Sequence, residues 1–359
     1  MKAILTADWH LGYAQYGNET RRQDFIDSAF NVIQIAIDNH YDCILNAGDL
    51  LDVSNPARDL DKDIIKMHEK LVEAGIPMVI TVGNHDNAKT HVLEAILYKR
   101  PTYPDKGLIF NKDSFIFKVR DAQIACINFD TMPKMKQDIA QLTEKIKEDK
   151  TRTPLLMCHM PLLEFAKYPS KGIMQALDFP EYYDAILVGD THICKEFKCK
   201  NGTQFFSPGT IELKSKSEDR KKCVWTYDTE SKTRENLILL PTRKVFDFDI
   251  TDENSFQEAV KECYSIKEKE DFSIVYLSYP TEMGNIKGAI EDILKGHLVQ
   301  ISELKPKKDK EVNRERKTTL PDMNEIVDEV VTNKECADII KKTIREQKPD
   351  FIKGVKGER

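Results

Sequence analysis

The chain has 359 residues, a formal net charge of −6 from 54 Lys and Arg against 60 Asp and Glu, and a 40% apolar share. That apolar share is enough for a packed core and excludes a disordered chain. The mild acidity excludes a polycationic coat for nucleic acid but leaves room for local basic surface, and the length admits one large domain or two to three smaller ones.

The opening MKAILTADWH reaches an acid and a His by residue ten, so it does not read as a signal peptide. No run approaches the roughly 18 apolar residues of a membrane span, so no membrane association is expected. KAILTA, DCILNAG and PMVITVG read as buried strands ending in polar or Gly residues. Between them, 20–39 and 59–74 carry helical spacing: Phe25, Ala29, Val32, Ile33 and Ala36 share one face, as do Ile64, Met67, Leu71 and Ala74. This β-α-β-α-β order predicts a largely parallel sheet covered by helices. Further strands are expected at 114–119, 123–129, 154–159, 185–188, 204–207, 222–228 and 236–240. So many strands fit two stacked sheets flanked by helices better than one open sheet.

Residues 1–243 thus form one α/β domain. A smaller β-α-β-α-β unit follows over 244–302: strand KVFDFDI, helix 254–268, strand FSIVYLSY, helix 284–297 and strand LVQISEL. Residues 303–320 read as a charged, solvated linker. Residues 321–359 begin with Pro321 and Asp322, which suit a helix start, and place Met323, Ile326, Val327, Val330 and Val331 at helical spacing. Such a stretch either folds back on the body or docks on a partner. The eight Cys lie without a CxxC pair and several sit in apolar runs, which reads as buried free thiols in a reducing cytoplasm. Cys194 and Cys199 lack companions for a zinc site and read the same way.

The informative residues sit where strands end. Asp8-Trp9-His10 follows KAILTA; Gly48-Asp49 and Asp52 follow DCILNA; Gly83-Asn84-His85-Asp86 follows PMVITV; His159 follows PLLMC; Gly189-Asp190-Thr191-His192 follows DAILV. In α/β folds the carboxyl ends of strands converge and build the ligand site. Carboxylate, amide oxygen and imidazole suit a borderline-hard divalent ion such as Mn²⁺ or Fe²⁺. Two such ions about 3.5–4 Å apart can share a carboxylate and serve an in-line phosphoryl displacement.

On the motifs DWHLG (8–12), GDLLD (48–52), GNHD (83–86), His159 and GDTH (189–192), the chain resembles calcineurin-like metallophosphoesterases. Within them it resembles SbcD-type nuclease subunits of the double-strand-break processing exonuclease. The likeness spans about 190 residues, with Trp9, Leu11, the second domain and the tail tilting it toward nuclease. It implies a two-sheet sandwich with a small α/β capping domain for DNA recognition and a C-terminal segment that docks an SMC-like ABC ATPase of the SbcC type. It also implies a homodimer within a heterotetramer, acting on double-stranded DNA ends as a 3′→5′ exonuclease and endonuclease. The short chain suggests a minimal member, phage-encoded, in the cytoplasm of a bacterial or phage-infected cell. The resemblance makes Asp8, His10, Asp49 and His192 ligands of a first ion, and Asp49, Asn84, His159 and Asp190 ligands of a second. The expected ion is Mn²⁺, with Mg²⁺ or Fe²⁺ as alternatives. His85 would sit beside the scissile phosphate and protonate the leaving oxygen, with Asp52 and Asp86 orienting neighbours.

Asp190 departs from the family pattern, which is Gly-His-x-His where this chain has Gly-Asp-Thr-His. The superfamily also includes phosphatases, so two alternatives stay open: a small-molecule or protein metallophosphoesterase, and a weakly active scaffold for the ATPase. DNA would be held by local charge, for which residues 195–222, with eight basic and four acidic residues, are the main candidate. No P-loop motif occurs, so ATP dependence would need another chain.

Overall fold

The computed structural model describes residues 1–52, 58–86, 90–97, 101, 103–166, 173–270, 272–280 and 286–304. The linker and the C-terminal segment singled out above lie outside them. Met1–Leu304 cluster as one compact unit.

Two six-stranded sheets dominate. The first runs β12 (Thr233–Leu240), β11 (Lys222–Asp228), β1 (Lys2–Thr6), β2 (Cys43–Asn46), β3 (Pro77–Ile80) and β4 (Gly107–Ile109). The second runs β5 (Phe115–Val119), β6 (Ala122–Ile127), β7 (Thr153–His159), β8 (Ala185–Gly189), β10 (Gln204–Ser207) and β9 (Lys195–Lys198). Side-chain alternation shows how they stack. Ala3, Leu5, Cys43, Leu45 and Val79 share one core with Leu155, Met157, Ala185 and Leu187, so the sheets pack face to face. The alternate residues Ile4, Ile44, Met78 and Ile80 face a second core. That core is built with α1 (Glu19–Asp38), α2 (Arg58–Ala74) and α3 (Thr90–Leu97). On the far side, Leu156, Cys158, Ile186 and Val188 meet α4 (Met132–Lys147). The result is the expected two-sheet sandwich flanked by helices. Both faces of the central strands are covered, which is why they read as continuous apolar runs.

A third sheet, all parallel, runs β13 (Val245–Asp249), β14 (Ile274–Pro280) and β15 (Leu298–Leu304). Its crossovers contain α5 (Glu253–Lys269) and α6 (Ile286–Ile293), the latter ending before residue 297, to which the helix was expected to run. It has its own core around Cys263, Val275, Leu277 and Ile290. Among the described residues no helix is long and apolar enough to cross a membrane.

Two sequence expectations need correction. Cys194 and Cys223 form a disulfide rather than free thiols, because the first residues of β11 lie against the loop that follows β8. Cys43, Cys126, Cys158, Cys199 and Cys263 are free. Trp9 and Leu11 are fully buried in the core under α1 and α2, with Trp9 Nε1 donating to Thr6 Oγ1. Elements β4, β9, α3 and α4 add to those expected.

Candidate metal centre

All five motif-bearing strands deliver their residues to one place. β1, β2 and β3 are parallel neighbours in the first sheet, and β7 and β8 in the second, so their carboxyl ends emerge together. The loops at those ends are held in unusual backbone. Asp8, His10, Asp49, Asp190 and His192 all have positive φ, between 46° and 92°. Such conformations cost energy in non-glycine residues and concentrate where geometry serves function. Glycine permits the close packing: a Cβ on Gly48 (φ +90°) would stand 2.6 Å from His159 Nδ1, and one on Gly189 2.7 Å from the same atom.

Ligand atoms of Asp8, His10, Asp49 and His192 lie within 4.8 Å of one another. Asp49 stands at the centre. Its Oδ2 is 3.7 Å from His10 Nε2 and 3.5 Å from His159 Nε2, while its Oδ1 accepts from the His85 amide at 2.9 Å. On the far side of Asp49, His159 Nε2 lies 2.8 Å from Asn84 Oδ1 and 3.7 Å from Asp190 Oδ1. The Asp190 amide donates to Asp8 Oδ1 at 3.1 Å. The seven expected ligands therefore form two groups that share Asp49.

The protonation pattern tests whether a cation fits. His10 Nδ1 faces Asp52 Oδ1 at 3.1 Å, and His192 Nδ1 faces Glu218 Oε1 at 3.0 Å. An ionised carboxylate only accepts, so the His192 ring gives its Nδ1 hydrogen to Glu218, while His10 Nδ1 lies against both Asp52 Oδ1 and Lys214 Nζ. The two Nε2 atoms meet 3.0 Å apart beside Asp8 and Asp49. Imidazole nitrogens converging on buried carboxylates are the donor types that a divalent cation takes. Electrostatics agree. Burial pushes the Asp8 and Asp190 carboxyls above the usual range, with Asp49 adding to both. Burial lowers His10 to about 4, so its ring is a neutral donor. Burial works against charge on His159 as well, but Asp49, Asp8 and Asp190 outweigh it and raise its pKa. The donor set fits divalent cations.

The remaining expected residues surround this core. His85 Nδ1 lies 3.0 Å from the Asp52 carbonyl, which can only accept, so Nε2 remains available to substrate. Its ring meets His10 edge-on at 5.0 Å. Asp86 is buried and accepts from the Leu50, Leu51 and Gly83 amides at 3.0, 2.9 and 3.1 Å, tying the β2 loop to the β3 loop. Two residues had no sequence signal. Lys214 Nζ lies 2.9 Å from Asp52 Oδ1 and 3.1 Å from His10 Nδ1. Glu218 backs His192. Exposure gives the direction of approach: Asp8, His10 and His159 are inaccessible, whereas the side chains of His85, Asp190 and His192 are 38%, 28% and 23% exposed. A cavity of about 500 Å³ opens on that side between Asp190, His192, Lys195 and Ser217.

A family model for calcineurin-like phosphoesterases matches residues 1–194. The chain belongs to this family. Among curated proteins it is similar to DNA double-strand break repair proteins Mre11. That of Sulfurisphaera tokodaii is 27% identical over 63% of this chain and 56% of its own length. That of Methanosarcina mazei is 29% identical over 61% and 34%, and that of Methanococcus maripaludis 25% over 77% and 77%. The chain thus spans about half or less of the length of the first of these relatives. A solved dimetal phosphatase from Danio rerio aligns at a TM-score of 0.43 and 12% identity over 63% of this chain and 91% of that one.

Proposed function

We propose that this chain is a two-metal-dependent DNA nuclease, the Mre11/SbcD-type subunit of an ATPase–nuclease complex that processes double-stranded DNA ends. The observation that carries the reading is the cluster of Asp8, His10, Asp49 and His192, with His159 beside Asp49 and next to Asn84 and Asp190. In this reading Asp8, His10, Asp49 and His192 hold one ion, and Asp49, Asn84, His159 and Asp190 hold the other, with Mn²⁺ as the expected metal. Bound dications would supply Lewis acidity to an attacking water and neutralise charge on the phosphate. The chain's own groups do the rest. Asp52 and Glu218 orient His10 and His192. His85, fixed through Nδ1, presents Nε2 to the leaving oxygen as a proton donor. Lys214 places a positive charge beside Asp52 for the substrate phosphate. The third sheet and its helices serve as the capping unit, and the segment over 321–359 docks the ATPase.

The deciding assay uses the full chain and compares Mn²⁺-dependent degradation of linear duplex DNA with hydrolysis of bis-p-nitrophenyl phosphate. DNA degradation lost in Asp49→Ala supports the reading. DNA turnover that survives Asp49→Ala refutes the two-metal site, and turnover of the small diester alone refutes the nuclease. Removal of 319–359 should abolish co-purification with an SbcC-type ATPase while basal Mn²⁺ cleavage persists; a retained complex refutes the docking role.

A further inference from the structure

We infer that Glu218 is a positioning residue for His192, holding the imidazole so that its Nε2 faces the first cation position. The inference rests on the two-metal reading above and concerns a residue outside every motif.

Glu218 lies in the irregular segment between β10 and β11, and its side chain is 8% exposed. Four groups converge on its carboxylate. Oε1 accepts from His192 Nδ1 at 3.0 Å, and Oε2 accepts from Lys222 Nζ at 2.6 Å, Thr210 Oγ1 at 3.0 Å and the Lys214 amide at 3.1 Å. A carboxylate this enclosed has no other rotamer that keeps its partners, so it is a fixed acceptor. It locks His192 in the tautomer with hydrogen on Nδ1 and a lone pair on Nε2. His192 needs such support, because its backbone is left-handed (φ 56°) and its side chain is 23% exposed. His10 likewise has a carboxylate behind it, with Asp52 Oδ1 3.1 Å from its Nδ1. The two rings meeting at Nε2 are thus each backed by a carboxylate from a different part of the chain. The segment carrying Glu218 is itself anchored to the third sheet. Arg220 and Lys216 pair with Asp247 at 2.6 and 3.6 Å and lie over the Tyr276 ring at 5.5 and 5.3 Å. Carboxylates that orient ligating imidazoles typically contribute about 10–100-fold to metal affinity.

The test is a Mn²⁺ titration of the full chain by calorimetry, with electron paramagnetic resonance of the bound ion. It uses wild type, Glu218→Ala and Glu218→Gln, each first checked by thermal melting. The expected result is that Glu218→Ala weakens one of two Mn²⁺ sites by about 10–100-fold and leaves the other within about twofold. Glu218→Gln, which keeps an acceptor for Nδ1, should recover part of that loss, a graded response that general structural damage would not produce. If Glu218→Ala does not fold, Glu218→Gln carries the comparison, with a weakened single site as the supporting result. Folded variants that bind both ions as wild type does overturn the role of Glu218 and leave the two-metal reading standing. Wild type that binds no pair of ions overturns that reading and the Glu218 assignment with it.

Discussion

Asp190 stands where the nuclease resemblance leads one to expect histidine, and on the two-metal reading charge makes the difference testable. Asp8, Asp49 and Asp190 against two dications leave a formal charge of roughly +1, where a histidine at 190 would leave roughly +2. Asp190 Oδ1 lies 3.7 Å from His159 Nε2, within the second ligand group. One unit charge about 6 Å from a reacting phosphate is worth ~3 kcal/mol at an effective dielectric near 20. Because the Asp190 side chain is 28% exposed, solvent screening takes away a share of that. The remainder, about 1–2 kcal/mol, corresponds to roughly tenfold in rate. Asp190→His should therefore raise kcat on linear DNA about tenfold at saturating Mn²⁺. The same loss of negative charge should weaken Mn²⁺ binding, so activity at limiting metal falls. The backbone tolerates the change, since Asp190 already has φ 92° and histidine is among the residues that accept positive φ. Asp190→Asn, which keeps the shape and drops the charge, should shift metal affinity in the same direction. The assay is steady-state cleavage across a Mn²⁺ series. If kcat for Asp190→His at saturating metal stays within about twofold of wild type, this electrostatic account fails.

Two further outcomes follow from the side chains around the site. Arg21 is fully buried and pairs with Asp24 at 2.5 Å and Glu212 at 3.0 Å, also donating to the Leu213 carbonyl at 2.8 Å. Arg21→Met leaves Glu212 buried without its cation and Asp24 with Arg243 alone, and should cost about 3–5 kcal/mol in urea unfolding; a loss under about 1 kcal/mol would show that the network is not stabilising. Lys214→Met should lower kcat on DNA about 10²-fold while Mn²⁺ affinity stays near wild type. Parallel losses of metal binding and rate would instead make Lys214 a support for His10.

The sandwich and the gathering of the motif residues were legible because both are written locally. Each central strand is a short apolar run, and each motif begins within three residues of a strand's end, so order along the chain maps onto position in space. Elements without that local pattern escaped. β9 (KEFK) is an edge strand with no apolar run, and α4 carries Met135, Ile139, Leu142 and Ile146 at helical spacing that was there to be read. Glu218 and the Cys194–Cys223 bridge escaped for a different reason. They join points 26 and 29 residues apart through an irregular loop, and no periodicity announces such a contact. Lys214 reaches His10 across 204 residues.

That loop also changes the meaning of the basic cluster at 195–222. As sequence it looks like a grip for DNA phosphates. In the fold, Lys222 pairs with Glu218, Lys214 with Asp52, and Lys216 and Arg220 with Asp247. Lys214 and Lys222 are therefore committed inside the protein, each to a carboxylate beside a histidine of the site, whereas Lys216 and Arg220 share the half-exposed Asp247 at the surface. An enclosed cation held by its own carboxylate contributes little to a distant phosphate, because the pair is close to neutral at longer range. Part of the charge count that seemed to offer surface for DNA is thus spent on building the site. On the two-metal reading, the positive field at a reacting phosphate comes from the bound ions together with Lys214, so removing the negative charge of Asp190 should be felt directly in the rate.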